Sequence, residues 1–124
     1  MKEIKNFYDL DTWKKGHLLT LEIYKITSTF PKEELYGIVS QLRRSSSSIS
    51  ANIAEGFARY YFKDKVRFYY HARGSAAEVQ NFLLLSKDLG YLDAEICKQL
   101  GEKANDVIKL INGLIKSIDN QNNY

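Results

Sequence analysis

The sequence contains few of the residues that break helices, form cross-links or bind metals. It has one cysteine, one proline, two histidines and seven glycines in 124 residues. A single cysteine excludes an intrachain disulfide and suits a reducing, cytoplasmic compartment. Without further ligands, these histidines and the cysteine cannot build a structural zinc site, and we expect neither a metal nor a cofactor. Because β-sandwiches and barrels need many turns, so few turn-forming residues favour a small number of long helices.

Long apolar runs and a strong net charge are also missing. The longest apolar run is Phe82 to Leu85, far below the roughly 20 residues that a membrane span requires. The first ten residues carry four charged side chains and no apolar run typical of a signal peptide. The net charge of +3 gives only a weak overall attraction to nucleic acid. We therefore expect a cytoplasmic protein that does not enter a membrane.

Four helices are predicted, because apolar side chains recur at steps of three and four residues. Their expected ranges are about Asp9 to Thr29, just after Pro31 to about Gly56 or Ala58, about Asp64 to Leu89, and Asp93 to about Ile118. Four helices of similar length with short links predict an all-α fold, an antiparallel up-down-up-down four-helix bundle. We expect one domain over residues 1–119 and a frayed polar tail over residues 120–124.

The same periodicity predicts which side chains face the core and where helices begin. The core face of the first helix is expected to contain Leu10, Trp13, His17, Leu21 and Tyr24, with His17 a packed histidine. Phe68 is expected in the core of the third helix. Asp9 or Asp11, Asp64 and Asp93 are candidate N-caps, and Gly90 is a candidate C-terminal stop.

Three of the four helices lack a fully polar second face. The fourth is cleanly amphipathic, but small or apolar side chains lie opposite the core faces of the first three. Examples are Leu19, Ile23 and Ile26 on the first helix, Ser47, Ser48, Ala51 and Ala54 on the second, and Gly74, Ala77 and Leu84 on the third. Burial on both sides of a helix predicts contacts between copies of the chain.

The weak net charge conceals a basic middle segment. Between residues 43 and 73 lie all five arginines and two lysines against two acidic residues, and the rest of the chain is slightly acidic. Seven of the fifteen tyrosines and phenylalanines lie in the same window. Basic side chains interleaved with aromatic rings can hold phosphates and stack bases. The candidate nucleic-acid contacts are Arg59, Tyr60, Tyr61, Lys63, Lys65 and Arg67; a solvated basic loop is the alternative.

The remaining arginines have a structural interpretation. Arg43, Arg44 and Arg73 are predicted within helices, where arginine suits buried or interface ion pairs with glutamate. Glu55 and Glu78 are the expected partners, with Asn52 as a hydrogen-bonding neighbour.

Motifs for catalysis are missing. The sequence has no GxSxG, no phosphate-binding glycine-rich loop and no HExxH. Glu55 and Glu78 lack the further ligands that a metal-dependent nuclease would require. Cys97 is expected to be a small, partly buried residue. We therefore predict that the protein is not an enzyme.

Five short motifs, in order, carry a resemblance to a known family. They are Phe30-Pro31-Lys32-Glu33-Glu34-Leu35-Tyr36-Gly37, Gln41-Leu42-Arg43-Arg44, Asn52-Ile53-Ala54-Glu55-Gly56, Ala72-Arg73-Gly74-Ser75 with Glu78, and Leu89-Gly90-Tyr91-Leu92. The sequence resembles the four-helix bundle proteins encoded in intervening sequences of bacterial 23S ribosomal RNA genes. This family is similar to the accessory variability determinant of diversity-generating retroelements.

The resemblance implies an antiparallel bundle that assembles as a homopentamer. It also implies a possible RNA or DNA partner and a possible reverse transcriptase or other protein partner. The motif residues with an expected structural or interface role are Arg43, Arg44, Asn52, Glu55, Gly56, Arg73, Gly74 and Glu78. The run Ser45 to Ser48 departs from the family pattern of small apolar residues and makes that surface more polar. Our leading hypothesis is an oligomeric adaptor that binds nucleic acid; a protein-interaction hub without nucleic-acid contact is the alternative.

Overall fold

The computed structural model describes residues 3–121 and contains four α-helices in that range. They are α1 (Asp11–Thr27), α2 (Ile38–Ala58), α3 (Phe62–Asp88) and α4 (Ala94–Gln121), with short 3-10 turns at Phe7–Asp9 and Lys32–Glu34. No strand occurs within residues 3–121, so the predicted all-α fold is confirmed. The predicted tail begins inside α4, which runs to Gln121, and its last three residues lie outside the described range.

Successive helices run antiparallel, as their contacts show. Arg43 of α2 donates to Thr27 at the end of α1, and farther along the seam the Thr20 hydroxyl donates to the Ser46 carbonyl. Residue numbers therefore rise on one helix as they fall on the other. The other two seams follow the same rule, with contacts between Ser48 and Ser75, Gly56 and Tyr69, Arg73 and Asn112, and Leu83 and Cys97.

The core is built from one face of each helix. On α2 it contains the predicted Ile38, Leu42, Ile49 and Ile53. On α4 the buried positions are Cys97, Leu100, Ala104, Val107, Ile111, Ile115 and Ile118. The opposite face of α4 carries exposed charged and amide side chains, so its predicted amphipathic character is confirmed.

The predicted core face of α1 is wrong beyond its start, where Leu10 and Trp13 pack, partly buried, against the core. The buried residues are Thr12, Gly16, Leu19, Ile23 and Thr27, whereas Leu21 and Tyr24 are exposed. The cause is a close approach to α2, since a Cβ added at Gly16 would lie 3.3 Å from the side chain of Ile49. The face that the periodicity assigned to subunit contacts therefore supplies much of the core.

His17 and Phe68 are likewise not core residues. His17 is exposed and stacks on Trp13, with ring centroids 4.6 Å apart and planes 11° apart. Phe68 is half-buried on α3, whereas its neighbour Tyr69 is buried against α2. Other positions that share this predicted face, Ala72, Ser75, Val79 and Ser86, are buried.

The helix starts follow the predictions only in part. Asp93 caps α4 by accepting a hydrogen bond of 2.8 Å from the Ile96 N–H, as predicted. The other three starts differ: Leu10 precedes α1, Tyr61 precedes α3, and α2 begins only after Gly37. The stretch after Pro31 forms a 3-10 turn instead, and its Glu34 carboxylate accepts a 2.8 Å bond from the Tyr91 hydroxyl.

Gly90 ends α3 as predicted. Its φ of 82° is the left-handed conformation that glycine adopts without strain. Its N–H bonds to the Lys87 carbonyl, and the N–H of Tyr91 bonds to the Ser86 carbonyl, the pattern of a Schellman motif.

Candidate nucleic-acid interface

The α2–α3 link forms a tight reversal at one end of the bundle. Arg59, Tyr60 and Tyr61 connect the two helices, and both Arg59 and Tyr61 have extended backbone. The Tyr61 carbonyl then accepts the backbone N–H groups of Asp64 and Lys65, which closes the first turn of α3. A link this short holds its side chains at the surface and close to one another.

Two tyrosines stand exposed at this reversal. Tyr60 is 86% and Tyr61 66% exposed, and their rings meet edge to face with centroids 5.0 Å apart. Together with Phe62 and Lys63 they line an open cleft of about 470 Å³. The site thus offers aromatic faces beside a cation.

The guanidinium groups of Arg59 and Arg67 both contact the ring of Phe68. The guanidinium of Arg59 lies 4.7 Å from the centre of the Phe68 ring, and that of Arg67 lies 5.1 Å from it. Arg59 also pairs with Glu55 one turn earlier on α2, at 3.2 Å. Phe68 therefore orients two of the predicted phosphate-binding side chains.

Lys65 has a structural contact at the end of α2. Its ammonium donates hydrogen bonds of 2.7 Å to the Phe57 carbonyl and 3.3 Å to the Gly56 carbonyl. These carbonyls form the negative end of the helix dipole. Burial lowers the pKa of Lys65 below its usual value of 10.5. By contrast, Lys63 is exposed and makes no ion pair within residues 3–121.

Gly56 lies where α2 and α3 approach too closely for a side chain. A Cβ at this position would lie 2.7 Å from the Tyr69 ring and 3.2 Å from the Lys65 carbonyl. No side chain fits there without displacing a rigid ring or the α3 backbone. The last residue of the Asn52–Gly56 motif thus has a steric role.

The other motif residues of α2 and α3 line a second, polar cleft. The Asn52 amide donates to the Ser48 carbonyl and hydroxyl at 2.8 and 3.0 Å, and the Ser75 hydroxyl donates to Ser48 at 3.0 Å. Gly74 and Glu78 are exposed along the same cleft, which has a volume of about 410 Å³. Phe68 also lines this cleft, whereas Tyr60 and Tyr61 line the other one.

The motif arginines do not pair with Glu55 or Glu78, contrary to the expectation from the sequence. Arg43 donates a 3.0 Å bond to Thr27 and lies over the Tyr24 ring at 4.6 Å, because the antiparallel seam brings the end of α1 beside it. Arg73 donates to Asn112 of α4 at 2.8 Å and lies 4.7 Å from the Tyr70 ring. Arg44 is exposed.

The hydroxyl groups of the serine run bond to carbonyls of their own helix. Ser45 and Ser46 are buried, and their hydroxyls donate to the Gln41 and Arg43 carbonyls at 2.7 and 3.2 Å. Ser47 also donates to the Arg43 carbonyl, at 2.8 Å. The run therefore presents less polarity to the surface than its composition suggested.

Sequence analysis missed Phe68 as a platform for arginines and Tyr24 as a partner of Arg43. Tyr70 and Arg73 are three residues apart on a helix, a spacing that places side chains together. That signal could have been found. Arg43 and Tyr24 meet only because α1 and α2 pack in one particular register.

Neither a cluster of metal ligands nor a membrane-spanning helix occurs in the described part of the chain. Within residues 3–121 no group of three or more histidine, cysteine, aspartate or glutamate side chains is placed to hold a metal ion. Cys97 is buried, with its thiol 3.5 Å from the Leu83 carbonyl. None of the helices in this range combines the length and apolarity needed to cross a bilayer.

The chain has clear relatives in fold and sequence. It is similar to the crystal structure of a protein of unknown function from the S23 ribosomal protein family of Bacteroides thetaiotaomicron VPI-5482. The TM-score is 0.76 at 23% identity, covering 85% of this chain and 98% of the other. No curated protein matches the sequence. The family model described as 23S rRNA-intervening sequence protein matches residues 8–113, and the chain therefore belongs to that family.

Proposed function

We propose that the protein is a non-enzymatic, oligomeric adaptor that binds RNA or DNA at the α2–α3 end of the bundle. The observation that carries this proposal is the exposure of Tyr60 and Tyr61 in one cleft with Lys63. Exposed cations attract phosphates by releasing counterions, and exposed rings stack on bases. The family assignment alone names no activity.

Local electrostatics favour an anion at this end. The positive end of the α3 dipole lies here, and the Lys65 ammonium neutralises the negative end of α2. Asp64, in the first turn of α3, offsets part of this charge. Lys63 and Arg67 are exposed one turn apart near the start of α3, where they can reach a phosphate backbone.

Assembly into an oligomer, with a homopentamer favoured by the family resemblance, strengthens the proposal. Apolar side chains on two helix faces are exposed in the single chain, among them Leu18 at 59% on α1 and Leu84 at 54% on α3. A second copy covering such faces would bury apolar surface. Five copies would also repeat the basic end five times and raise the local potential.

Binding is tested at low salt with a structured RNA that also contains single-stranded loops, using a double variant and a charge-matched control. Lys63→Gln with Arg67→Gln should weaken binding and reduce the slope of log K against log salt by about two. The control, Lys98→Gln with Lys109→Gln, removes two exposed charges from α4. Lys65 is left intact because its loss would disturb α2. If the wild type shows no affinity at about 50 mM salt, the proposal is wrong.

Assembly is tested by light scattering coupled to size exclusion. A homopentamer has about five times the chain mass of 14.3 kDa. A monomer at micromolar concentration would contradict the oligomer, whereas another closed ring would contradict only the number of subunits.

A protein-interaction hub is the second candidate, and one surface favours it. Leu18 and Leu21 line a groove between α1 and α4 of about 450 Å³, flanked by an ion pair between Glu22 and Lys103. A partner such as a reverse transcriptase could seat an apolar segment there. This alternative predicts that the chain captures a partner protein and that added salt does not weaken the complex. Leu18→Lys should abolish this complex, and the wild type should have no affinity for nucleic acid.

A further inference from the structure

We propose that the α2–α3 end selects single-stranded nucleic acid, RNA or DNA, and that Tyr60 and Tyr61 form its base-stacking platform. This inference rests on the proposed function and narrows its ligand from nucleic acid in general to unpaired strands.

The exposure of the two rings is the first argument. Tyr60 and Tyr61 are 86% and 66% exposed, although each ring carries a large apolar surface. Their edge-to-face contact, with planes 84° apart, covers only part of one ring and leaves other ring faces free. Such faces match unpaired bases, because every base has a flat π surface that stacks with little regard to sequence.

The cations near the rings, one in the same cleft and two close in the chain, are the second argument. Lys63 lines the same cleft as the tyrosines, and Arg59 and Arg67 are gathered on Phe68 close by in the chain. A single strand presents bases and phosphates together, so rings and cations can be engaged at once. The cation–π contacts already restrict the two guanidinium groups, so these groups lose less conformational freedom when they bind a phosphate.

A duplex would use this surface poorly. Its base faces are stacked inside the helix, so the tyrosines could reach only the sugar-phosphate backbone. Reading the major groove needs an exposed helix or β-ribbon laid along it. The reversal at Arg59 to Tyr61 is a blunt corner between two packed helices.

The test compares fluorescence anisotropy of labelled oligo(U), oligo(dT) and a mixed-sequence duplex, each about 15 nucleotides or base pairs long. The full-length wild type should bind both single strands at least about tenfold more tightly than the duplex. Tyr60→Leu with Tyr61→Leu should lower single-strand affinity about tenfold or more and leave duplex affinity nearly unchanged. Leucine keeps the surface apolar but removes the π face.

The matched control is Tyr36→Leu, which removes a tyrosine that is 94% exposed before the start of α2, at the other end of the bundle. It should leave all affinities unchanged. Equal affinity for strand and duplex, or an unaffected tyrosine double variant, would overturn the inference while nucleic-acid binding itself stands. If the wild type binds none of the three probes, the proposed function fails as well.

Discussion

The ammonium of Lys65 lies 2.7 Å from the carbonyl of Phe57 and thereby ties the start of α3 to the end of α2. Helix C-termini leave carbonyl groups without partners, and a cation there satisfies them and opposes the dipole. Lys65 thus fixes the geometry of the reversal that displays Tyr60 and Tyr61.

Replacement of Lys65 by methionine should destabilise the protein. Methionine keeps the aliphatic stem but loses the donors to Phe57 and Gly56, so we expect a loss of about 1 kcal/mol in the free energy of unfolding. Urea unfolding at one fixed protein concentration measures it. Lys63→Met, two residues earlier on the exposed side, should change stability by less than about 0.5 kcal/mol. Equal effects of the two substitutions would contradict the role of Lys65 as a partner for the carbonyls at the end of α2.

Gly56→Ala should also destabilise the fold, although alanine has a higher helix propensity than glycine. Alanine gains about 1 kcal/mol over glycine inside a helix. Here, however, the new Cβ would lie 2.7 Å from the Tyr69 ring, and overpacking costs about 1–3 kcal/mol. We therefore expect a net loss in urea unfolding. A net gain would show that α2 and α3 can separate without cost.

Lys65 and Gly56 show how much of this end of the molecule could be predicted from the sequence. Composition and spacing correctly located a basic, aromatic reversal between two helices. They could not show that the Lys65 ammonium faces two carbonyls across the link, or that Gly56 faces Tyr69. Both relations depend on how closely α2 and α3 approach, which is a tertiary property.

The face of α1 illustrates a different limit. Its sequence carries two apolar stripes, and periodicity alone cannot decide which one is buried. The choice is made by Gly16, which admits Ile49, and by Thr20, whose hydroxyl bonds to the Ser46 carbonyl. Neither residue is scored as a core residue by hydrophobicity. The clean face of α4 offered no such ambiguity, and there the prediction succeeded.

Stability should fall in alkali because of Tyr69. Burial raises the pKa of Tyr69 to about 12 from 10.0, so the folded state holds this proton after the unfolded state has lost it. The stabilisation is complete below pH 10 and is lost as the pH rises toward about 12. After solvent screening we expect the effect to be about 1–2 kcal/mol.

The comparison with Tyr69→Phe isolates this effect. Lys65, whose pKa is lowered, acts in the opposite direction below its usual value of 10.5, but its contribution is common to both proteins. Urea unfolding between about pH 9 and pH 11 should therefore show a steeper decline for the wild type than for Tyr69→Phe. Parallel declines would exclude Tyr69 as the source.

Phe68→Leu should weaken nucleic-acid binding without removing any charge. Both Arg59 and Arg67 lie within 5.1 Å of the Phe68 ring, and loss of the ring frees both guanidinium groups. Two exposed cation–π contacts contribute about 0.5–1 kcal/mol each, so their loss should weaken the affinity by at most roughly five- to thirtyfold. Anisotropy with oligo(U) measures it. Tyr70→Leu, which releases Arg73 from a similar contact, serves as the control and should have little effect.

Gly74→Ala should separate fold stability from assembly. Gly74 is exposed within α3 and nothing lies within 4 Å of an added Cβ, so alanine should stabilise a single chain by about 0.5–1 kcal/mol. Gly113 on α4 has the same environment and provides the matched substitution Gly113→Ala. If another copy packs closely on the polar cleft beside Gly74, the first substitution alone should shift the assembly toward smaller species in light scattering. Identical assembly of both variants would show that no subunit approaches the α3 backbone at Gly74.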